Sequence, residues 1–383
     1  MQKKLIALAI AGLASSAAFA QSNVTIYGIV DVAYTHSSSG SSSTSGIDSG
    51  GWSSSRLGFR GTEDLGDGLK ALFTLEYGLS PDVNSGVGVT STGGGNERQG
   101  WIGLQNNTGS IKVGRQNTLG KNATDKYDPM ASTTFSPLYA LQRGNFVTAT
   151  QQSFPTNDGT IPYALQTVNG RFSNSVTFES AKMSGFVISA QYAFNGQDGL
   201  DANAYGGAGQ PQKKQSDVTF GVEYSDGPLA LNYIHQRARD IIDTTAPAVS
   251  NKASENWVSG AYDFGVVKLM GSYQTVQRTQ GGVKFATDKL LSVGVQVPVT
   301  AVGKVYFGYA KANDASPANN DVDSWGVQYS HELSKRTILY SGYQRLSNDN
   351  LAAAQVLPNT GGRATVAAGA NASGWGFGVR HTF

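Results

Sequence analysis

The sequence predicts an all-β fold: a 16-stranded antiparallel transmembrane β-barrel with a long third loop folded inward. Three observations support this prediction. Apolar side chains recur at every second position in segments of about ten residues, which is the period of a β-strand. Short and long connections alternate between these segments. The composition has 48 glycines, 17 tyrosines, 16 phenylalanines and no cysteine, so an extended fold must be held without disulfides.

The first twenty residues have the features of a secretory signal peptide. Two lysines at positions 3 and 4 precede an apolar run over 5–14, and the sequence Ala-Phe-Ala at 18–20 matches a cleavage site. The apolar run is too short to span a membrane as a helix. We therefore expect residues 1–20 to be removed and residues 21–383 to form a single barrel domain.

The charge and hydropathy of the mature chain exclude two classes of protein. Without the two leader lysines, the chain has 27 basic and 27 acidic residues. This balance argues against a general affinity for nucleic acid, which requires a basic excess. No stretch after residue 20 has 18 consecutive apolar residues, so a transmembrane helix is excluded.

The strands are assigned from the alternation of apolar and polar side chains. In LKALFTLEYG (69–78), Phe73, Leu75 and Tyr77 share a face, and Thr74 and Glu76 lie on the other. Counting such segments gives sixteen strands, with 335–347 the least regular. The predicted spans are 24–35, 53–62, 68–80, 96–106, 109–117, 171–180, 185–195, 216–225, 228–239, 254–263, 265–279, 284–297, 303–313, 322–331, 335–347 and 373–383.

The connections indicate which ends of the strands lie together. Short turns such as 63–68, 106–109 and 225–228 are rich in Gly, Asn, Asp and Pro. Longer polar stretches lie between them, among them 36–52 and 118–170. Short turns at one end and long loops at the other are typical of an outer-membrane barrel. A soluble β-sandwich or propeller is the alternative, but the face opposite its apolar face would be rich in Lys and Glu, and only 15% of the residues are charged.

The last segment, 373–383, predicts how the barrel closes. Bulky residues alternate with small or polar ones, so a closing strand would direct one set to lipid. This strand must pair with the first one, around Val24–Tyr34, because an open sheet edge is not tolerated in lipid. The lipid-facing set is Trp375, Phe377, Val379, His381 and Phe383.

The sequence does not indicate an active site. It contains no nucleophile elbow and no phosphate-binding loop. The four histidines are scattered, without the spacing of metal ligands: His36, His235, His331 and His381. We expect no catalytic residue, no metal and no cofactor.

Arginines on strand faces are the notable polar feature. In SSRLGFRG (54–61), the outward set includes Leu57 and Phe59, which leaves Arg56 and Arg60 facing inward. The phase of the strand is ambiguous at Arg98, and Arg171 begins the strand after the longest loop. Several inward arginines at similar depth would form a positive wall that focuses the electric field across a channel.

The segment 118–170 is far longer than an ordinary connection, and such loops are usually functional or disordered. It carries Asp125 and Asp128 beside apolar residues such as Phe135 and Leu141. Folded inward, it would narrow the lumen and set its carboxylates against the arginines. An external excursion of the loop is the alternative.

Four stretches together resemble the general porins of Gram-negative bacteria. They are VTIYGIVDVAY, SSRLGFRGTEDLGDGLKALFTLE, IGLQNNTGSIKVGRQ and the terminal GFGVRHTF. The resemblance is to the β-proteobacterial branch, which includes the neisserial and Burkholderia/Bordetella-type porins. It implies a homotrimer in the outer membrane that passes small hydrophilic solutes and ions by diffusion. Contact with outer-membrane lipid and lipopolysaccharide, and recognition of the C-terminal strand ending at Phe383 by the barrel assembly machinery, are implied as well.

The resemblance also implies which residues line the constriction. The basic cluster would contain Arg56, Arg98 and Arg171. We also assign the inward residues Arg60 and Lys70 to the basic side of the constriction. The acidic side would contain Glu76, from the segment FTLE, and one of two acids of the third loop, Asp125 or Asp128. Since three clustered arginines face two or three carboxylates, we expect a weak-to-moderate preference for anions.

Arg115 differs from these arginines in its phase. In SIKVGRQN it shares the outward face of Ile111 and Val113. An arginine in lipid at mid-depth costs about 2–4 kcal/mol. A subunit contact with a neighbour's carboxylate would remove this penalty, so we predict that Arg115 lies at an interface between subunits.

Two other functions are weighed against passive diffusion. A substrate-specific channel would carry a ladder of lumenal aromatic residues, whereas inward positions such as Thr25, Thr74 and Gln328 are small or polar. A surface adhesin on the same barrel belongs to this class of binding proteins. An outer-membrane hydrolase is the other alternative, but abundant serine is not evidence of a nucleophile.

Overall fold

The computed structural model describes residues 23–40, 42–89, 95, 97–142, 170–194, 216–242, 250–280, 282–313, 321–349, 352, 354, 356 and 366–383. The predicted signal peptide lies outside these residues, so its cleavage stays a prediction. None of the described helices is long and apolar enough to span a membrane.

Seventeen strands form one antiparallel sheet in the described part of the chain. They are β1 Asn23–Ser39, β2 Ser42–Ser49, β3 Arg56–Gly66, β4 Leu69–Gly78, β5 Glu97–Asn106, β6 Gly109–Asn117, β7 Arg171–Ser180, β8 Phe186–Phe194, β9 Ser216–Asp226, β10 Leu229–Ile242, β11 Ser250–Asp263, β12 Lys268–Gln280, β13 Val283–Pro298, β14 Gly303–Asn313, β15 Val322–Glu332, β16 Thr337–Asn348 and β17 Ala372–Thr382.

The sheet closes through β1 and β17. Ile29 lies opposite Thr382, and the pairing continues to Ser39 opposite Ala372. On its other edge, β1 pairs first with β3 and then with β2, so these two short strands occupy one position in the barrel. The sheet therefore has sixteen positions, which confirms the predicted sixteen-stranded antiparallel barrel.

The structure corrects the prediction of a long loop over 36–52. The serine-rich segment instead extends β1 and adds β2, whose backbone pairs with β1 up to Ser39 opposite Ser42. This run has no apolar alternation, so the sequence pattern did not reveal the strand. The second predicted strand, 53–62, is also shifted, because residues 50–55 break the ladder between β2 and β3.

Side chains alternate between the two faces of the sheet. On β17, Trp375, Phe377 and Val379 are exposed on the outer face, and the intervening Gly374 and Gly376 are buried on the inner face. An exposed apolar outer face is what a barrel in a hydrocarbon environment requires. The predicted orientation of the side chains on the terminal strand is therefore confirmed.

Tight turns lie together at one end of the barrel, which is called the short-turn end below. Examples are the turns at 67–68, 107–108 and 227–228. The opposite end, the long-loop end, carries the connections between β4 and β5 and between β6 and β7.

The connection between β6 and β7 is described over 118–142 and contains two helices. Helix α1 spans Leu119–Tyr127 and helix α2 spans Pro137–Gln142. The side chain of Thr118 caps α1 by accepting a hydrogen bond from the backbone N–H of Lys121 at 3.0 Å. The cap satisfies a backbone donor at the start of the helix, directly after the end of β6 at Asn117.

This segment packs against the inner face of the sheet, with α1 against β9–β12 and α2 against β13–β15. Met130 contacts Gly308 and Gly326, and Phe135 contacts Gly342. The glycines leave the room that these two side chains occupy, because a Cβ at Gly342 would overlap the Phe135 ring. Residues 118–142 consequently lie inside the ring of strands.

Candidate channel constriction

Two arginines and one glutamate form a charged cluster on the inner face of β3, β4 and β5, which is called the arginine wall below. The Glu76 carboxylate accepts a hydrogen bond from Arg98 Nε at 2.7 Å, and Arg56 Nη1 lies 3.9 Å from the same oxygen. The side chain of Glu76 is 4% exposed, whereas those of Arg98 and Arg56 are 11% and 22% exposed. The arginines therefore present positive charge to the lumen, and the carboxylate lies behind them.

A glycine opposite Glu76 shapes this wall. Gly58 pairs with Glu76 in the β3–β4 register, and a Cβ at Gly58 would overlap the ring of Tyr27 on β1. The ring can therefore lie flat over the strand, and its hydroxyl donates to the second Glu76 oxygen at 3.0 Å. Both carboxylate oxygens are thus held by partners, which fixes the glutamate in place.

A β-bulge explains the position of Arg98. Glu76 pairs with Gln99, but the next residue, Tyr77, pairs with Glu97, so Arg98 is the extra residue on β5. A bulge redirects the side chain of the extra residue, and here the guanidinium points to Glu76. This resolves the ambiguous phase of Arg98 in the sequence.

A second arginine–carboxylate combination, Arg380 with Asp31, extends the wall to the seam of the barrel. Asp31 on β1 pairs with Arg380 on β17, and Arg380 Nε donates to Ser53 Oγ at 2.8 Å. The buried carboxylate of Asp31 accepts hydrogen bonds from the backbone N–H groups of Trp52 and Ser53, at 3.0 and 2.7 Å. These bonds draw residues 50–55 inward and account for the break between β2 and β3.

Helix α1 lies against β9–β12, across the barrel from the arginine wall. Asp125 is paired with Lys121, one turn earlier on the helix, and its side chain is 47% exposed. Asp125 also lies close enough to Arg56 to interact with it electrostatically. Of the two candidate aspartates of the loop, Asp125 is therefore the one that faces the arginine wall.

Asp128 has a different role from the one predicted. It is buried, and its carboxylate accepts hydrogen bonds from the backbone N–H groups of Met130 and Ser132, at 2.9 and 2.8 Å, and from Ser136 Oγ at 2.6 Å. Burial raises the pKa of Asp128 to about 6, although these hydrogen bonds act in the opposite direction. Asp128 holds the turn between α1 and α2 and does not line the lumen, so its assignment to the constriction was wrong.

Comparison with known proteins decides the family. The sequence-family model of the Gram-negative porins matches residues 7–351, which is most of the chain. The chain belongs to the Gram-negative porin family.

Two relatives show the extent of the similarity. Outer membrane porin protein 32 of Delftia acidovorans is 30% identical to this porin over 389 residues, covering 100% of both chains. Major outer membrane protein P.IB of Neisseria gonorrhoeae is 25% identical over 358 residues, covering 88% of this chain and 91% of its own. Both relatives come from the β-proteobacterial branch that the motifs predicted, so this prediction is confirmed.

Solved structures agree with the fold. The anion-selective porin from Comamonas acidovorans superimposes with a TM-score of 0.75 at 26% identity, covering 95% of this chain and 100% of its own. OmpT of Vibrio cholerae superimposes with a TM-score of 0.63 at 17% identity, which supports the fold alone. Together with the family, these matches confirm a multi-pass protein of the Gram-negative outer membrane that is a channel for passive diffusion and not an enzyme.

The remaining predicted cations lie outside the ion pairs of the constriction. Arg60 is on the inner face of β3, where its guanidinium lies 5.2 Å from the centre of the Tyr27 ring. Lys70 lies opposite Asp64 in the β3–β4 register, next to the short turn, six residues from Glu76 along β4 and therefore about 20 Å away. Arg171 begins β7, three strands from β4, and pairs with Asn117.

Arg115 has partners within its own chain. Its Nε donates to the backbone carbonyl of Glu97 at 2.8 Å, and its Nη1 donates to Ser173 Oγ at 2.7 Å. Arg115 also lies at a register shift between β6 and β7, after Gly114. These bonds satisfy two donors of the guanidinium without a neighbouring subunit. The free-energy penalty that motivated the predicted subunit contact is therefore smaller than the sequence suggested, and the contact stays a prediction.

Phe383 closes the seam between the first and last strands. Its backbone N–H donates to the carbonyl of Gly28 at 3.2 Å, and its carbonyl accepts from the Gly28 N–H at 3.1 Å. Its ring lies on the outer face over Gly28, where a Cβ would overlap it. The C-terminal residue Phe383 is thus part of the barrel wall.

The sequence analysis missed several participants at this site, among them Tyr27, Asp31, Lys121 and the segment 50–55. The phase of β1 places Asp31 on the inner face, which was the available signal. Its role depends on a break in the neighbouring strand, and the alternation did not predict that break. Lys121 is visible only once α1 is known to be a helix, since the pair with Asp125 has the spacing of one helical turn.

Proposed function

We propose that this porin forms a water-filled channel with a weak-to-moderate preference for anions, through which small hydrophilic solutes and ions diffuse. The observation that carries the proposal is the wall in which two guanidinium groups, of Arg56 and Arg98, share the single carboxylate of Glu76. This leaves a net positive charge on the more exposed side of the cluster. A charged wall in a narrow, low-dielectric frame raises the local concentration of counter-ions, here anions.

The other charges near the wall are balanced. Lys121 is paired with Asp125 on α1, and Arg380 is opposite Asp31 across the seam. Arg60 adds one more cation toward the short-turn end. The excess of positive charge is therefore small, which fits a modest selectivity. The Comamonas acidovorans porin, 26% identical, is described as anion-selective, which supports the sign.

The proposed constriction contains Arg56, Arg98 and Glu76 on the wall and Asp125 on α1. It excludes Asp128 and Lys70, which lie in a buried turn and beside the short turn. Arg171, at the long-loop end of β7, is proposed to add positive charge toward that entrance.

The assembly proposed for this porin is a homotrimer. A trimer form is described for OmpT of Vibrio cholerae, a structural relative at 18% identity. The exposed apolar outer face is proposed to contact outer-membrane lipid and lipopolysaccharide. Strand β17 with Phe383 is proposed to be recognised by the barrel assembly machinery, because it is the C-terminal strand and pairs with β1 to close the sheet.

Planar bilayer recording tests the channel and its selectivity. The purified protein should insert with conductance in groups of three equal levels. In a potassium chloride gradient, the zero-current potential should have the sign of a channel that favours chloride. A potential that indicates cation preference would contradict the proposal, and single-level insertions would contradict the trimer.

A further inference from the structure

Two cations that lie over aromatic rings occupy the inner face below the constriction. Arg60 lies over the ring of Tyr27, at 5.2 Å from its centre, and the ammonium of Lys112 lies over the ring of Trp101 at 5.4 Å. In the described part of the chain, no carboxylate forms an ion pair with either cation. Their charge is thus available to a solute in the lumen.

The register brings these groups to one patch of the wall. Arg60 pairs with Thr74, and Thr74 pairs with Trp101 on the next strand. Thr74 is only 8% exposed, so the side chains on either side of it close over it. On the next strand, β6, Gly114 pairs with Trp101. Lys112 lies on the same strand, two residues nearer the short turn than Gly114. With Tyr27 on β1, the patch therefore extends across five strands, β1 and β3–β6.

Apart from Tyr27, whose hydroxyl also contacts Glu76, the patch lies nearer the short-turn end than the constriction. Arg60 is four residues along β3 from Arg56, toward the short-turn end, which corresponds to about 13 Å. Arg60 is exposed, and Trp101 and Lys112 are half-buried, so all three border the lumen. A solute that has passed the arginine wall would meet this patch next.

We propose that this patch, consisting of Tyr27, Arg60, Trp101 and Lys112, is a subsite for small aromatic carboxylates. The carboxylate would pair with the ammonium of Lys112 or with the guanidinium of Arg60, and the ring would pack on the accessible part of the Trp101 indole. An aromatic ring packed on an indole gains more binding free energy than the burial of its apolar area alone provides. The proposal rests on the anion preference proposed above, since the solute must first pass Arg56 and Arg98.

The matched pair benzoate and cyclohexanecarboxylate tests the subsite, because the two anions have the same charge and similar size. Each is added to either side of the porin in a bilayer, and the fall in chloride conductance is measured against concentration. We expect saturable block with a half-block concentration roughly 2- to 10-fold lower for benzoate. Trp101→Leu should abolish this difference, and Trp101→Phe should retain part of it.

Lysine variants separate charge from stacking. Lys112→Gln should weaken the block by both anions, whereas Lys70→Gln, a lumenal lysine beside the short turn, should change neither. Equal block by the two anions in the wild type, or an unchanged difference in Trp101→Leu, would overturn the subsite. If Trp101→Leu does not assemble, Trp101→Phe and Lys112→Gln decide the question.

The zero-current potential in potassium chloride, recorded in the same bilayers, distinguishes the two proposals. Anion preference without benzoate block would refute the subsite and leave the proposed function intact. Cation preference would refute the proposed function directly.

Discussion

Replacing Glu76 with glutamine removes one negative charge from the constriction and nearly preserves the volume of the side chain. Its carboxylate is shared by Arg98 at 2.7 Å, Arg56 at 3.9 Å and the Tyr27 hydroxyl at 3.0 Å. The variant therefore uncovers the charge of two arginines that already border the lumen. We expect a stronger anion preference and a less stable wall.

The size of the change in selectivity follows from Coulomb's law. An anion passing about 6 Å from Glu76 is repelled by about 0.7 kcal/mol in bulk water and by about 1.4 kcal/mol at half that dielectric constant. Removing this repulsion should raise the chloride-to-potassium permeability ratio roughly 3- to 10-fold at low salt. Screening should shrink the effect as the ionic strength rises.

The change in stability follows from the donors left behind. Arg98 and Tyr27 would face an amide instead of a carboxylate, and weakened bonds to a buried group cost about 1–3 kcal/mol. The assay is the temperature at which the folded band is lost in gel electrophoresis, read beside the zero-current potential. Glu332→Gln is the matched control, because this exposed glutamate lies 4.0 Å from Lys304 at the short-turn end. A permeability ratio that is unchanged, or that moves toward cations, would refute the reasoning.

Three further predictions concern the loop and the seam. Gly342→Ala should displace Phe135 and increase current noise in single channels, because the new Cβ overlaps only the Phe135 ring among its nearest contacts. Lowering the pH from about 7 to about 4.5 should stabilise the turn at Asp128, since its folded-state pKa of about 6 lies above the ordinary value and its stabilising contribution is lost as the pH rises through 6. Hydrogen exchange of the turn amides, corrected for intrinsic rates, should show this. Deleting Phe383 should lower the yield of folded barrel by removing two backbone hydrogen bonds to Gly28, each worth about 0.5–1.5 kcal/mol, with little effect on the conductance of inserted channels.

Each of these predictions has a control and a contradicting result. Gly46→Ala meets nothing within 4 Å and should leave the current quiet; equal noise in both variants would count against the Phe135 contact. Asp128→Asn should remove the pH dependence of the turn, and its persistence would assign the effect to another group. Normal outer-membrane levels of the Phe383 deletion would show that the seam closes without it.

The barrel was predictable from the sequence because alternation and turn residues report directly on strands in lipid. Leu57 and Phe59 placed Arg56 and Arg60 on the inner face, and the register agrees. The serine-rich β2 was not predictable, because its pairing with β1 uses backbone groups and leaves no apolar pattern.

The site was predictable in its residues more than in their arrangement. Arg56, Arg98 and Glu76 were named, but Glu76 was expected opposite the arginines and is instead bonded to them. The bulge that turns Arg98 to Glu76 depends on the pairing of two strands, which no local pattern records. Asp128 could not be separated from Asp125 by sequence, since only the fold of the loop shows which carboxylate is buried.

The most direct test of the constriction is the zero-current potential of the double variant Arg56→Gln, Arg98→Gln in a potassium chloride gradient. The wall then retains Glu76 without its two cations, and Asp125 faces it from α1. We predict that the wild type favours chloride and that the double variant loses this preference or reverses it. An unchanged chloride preference in the double variant would contradict the assignment of the selectivity to this wall.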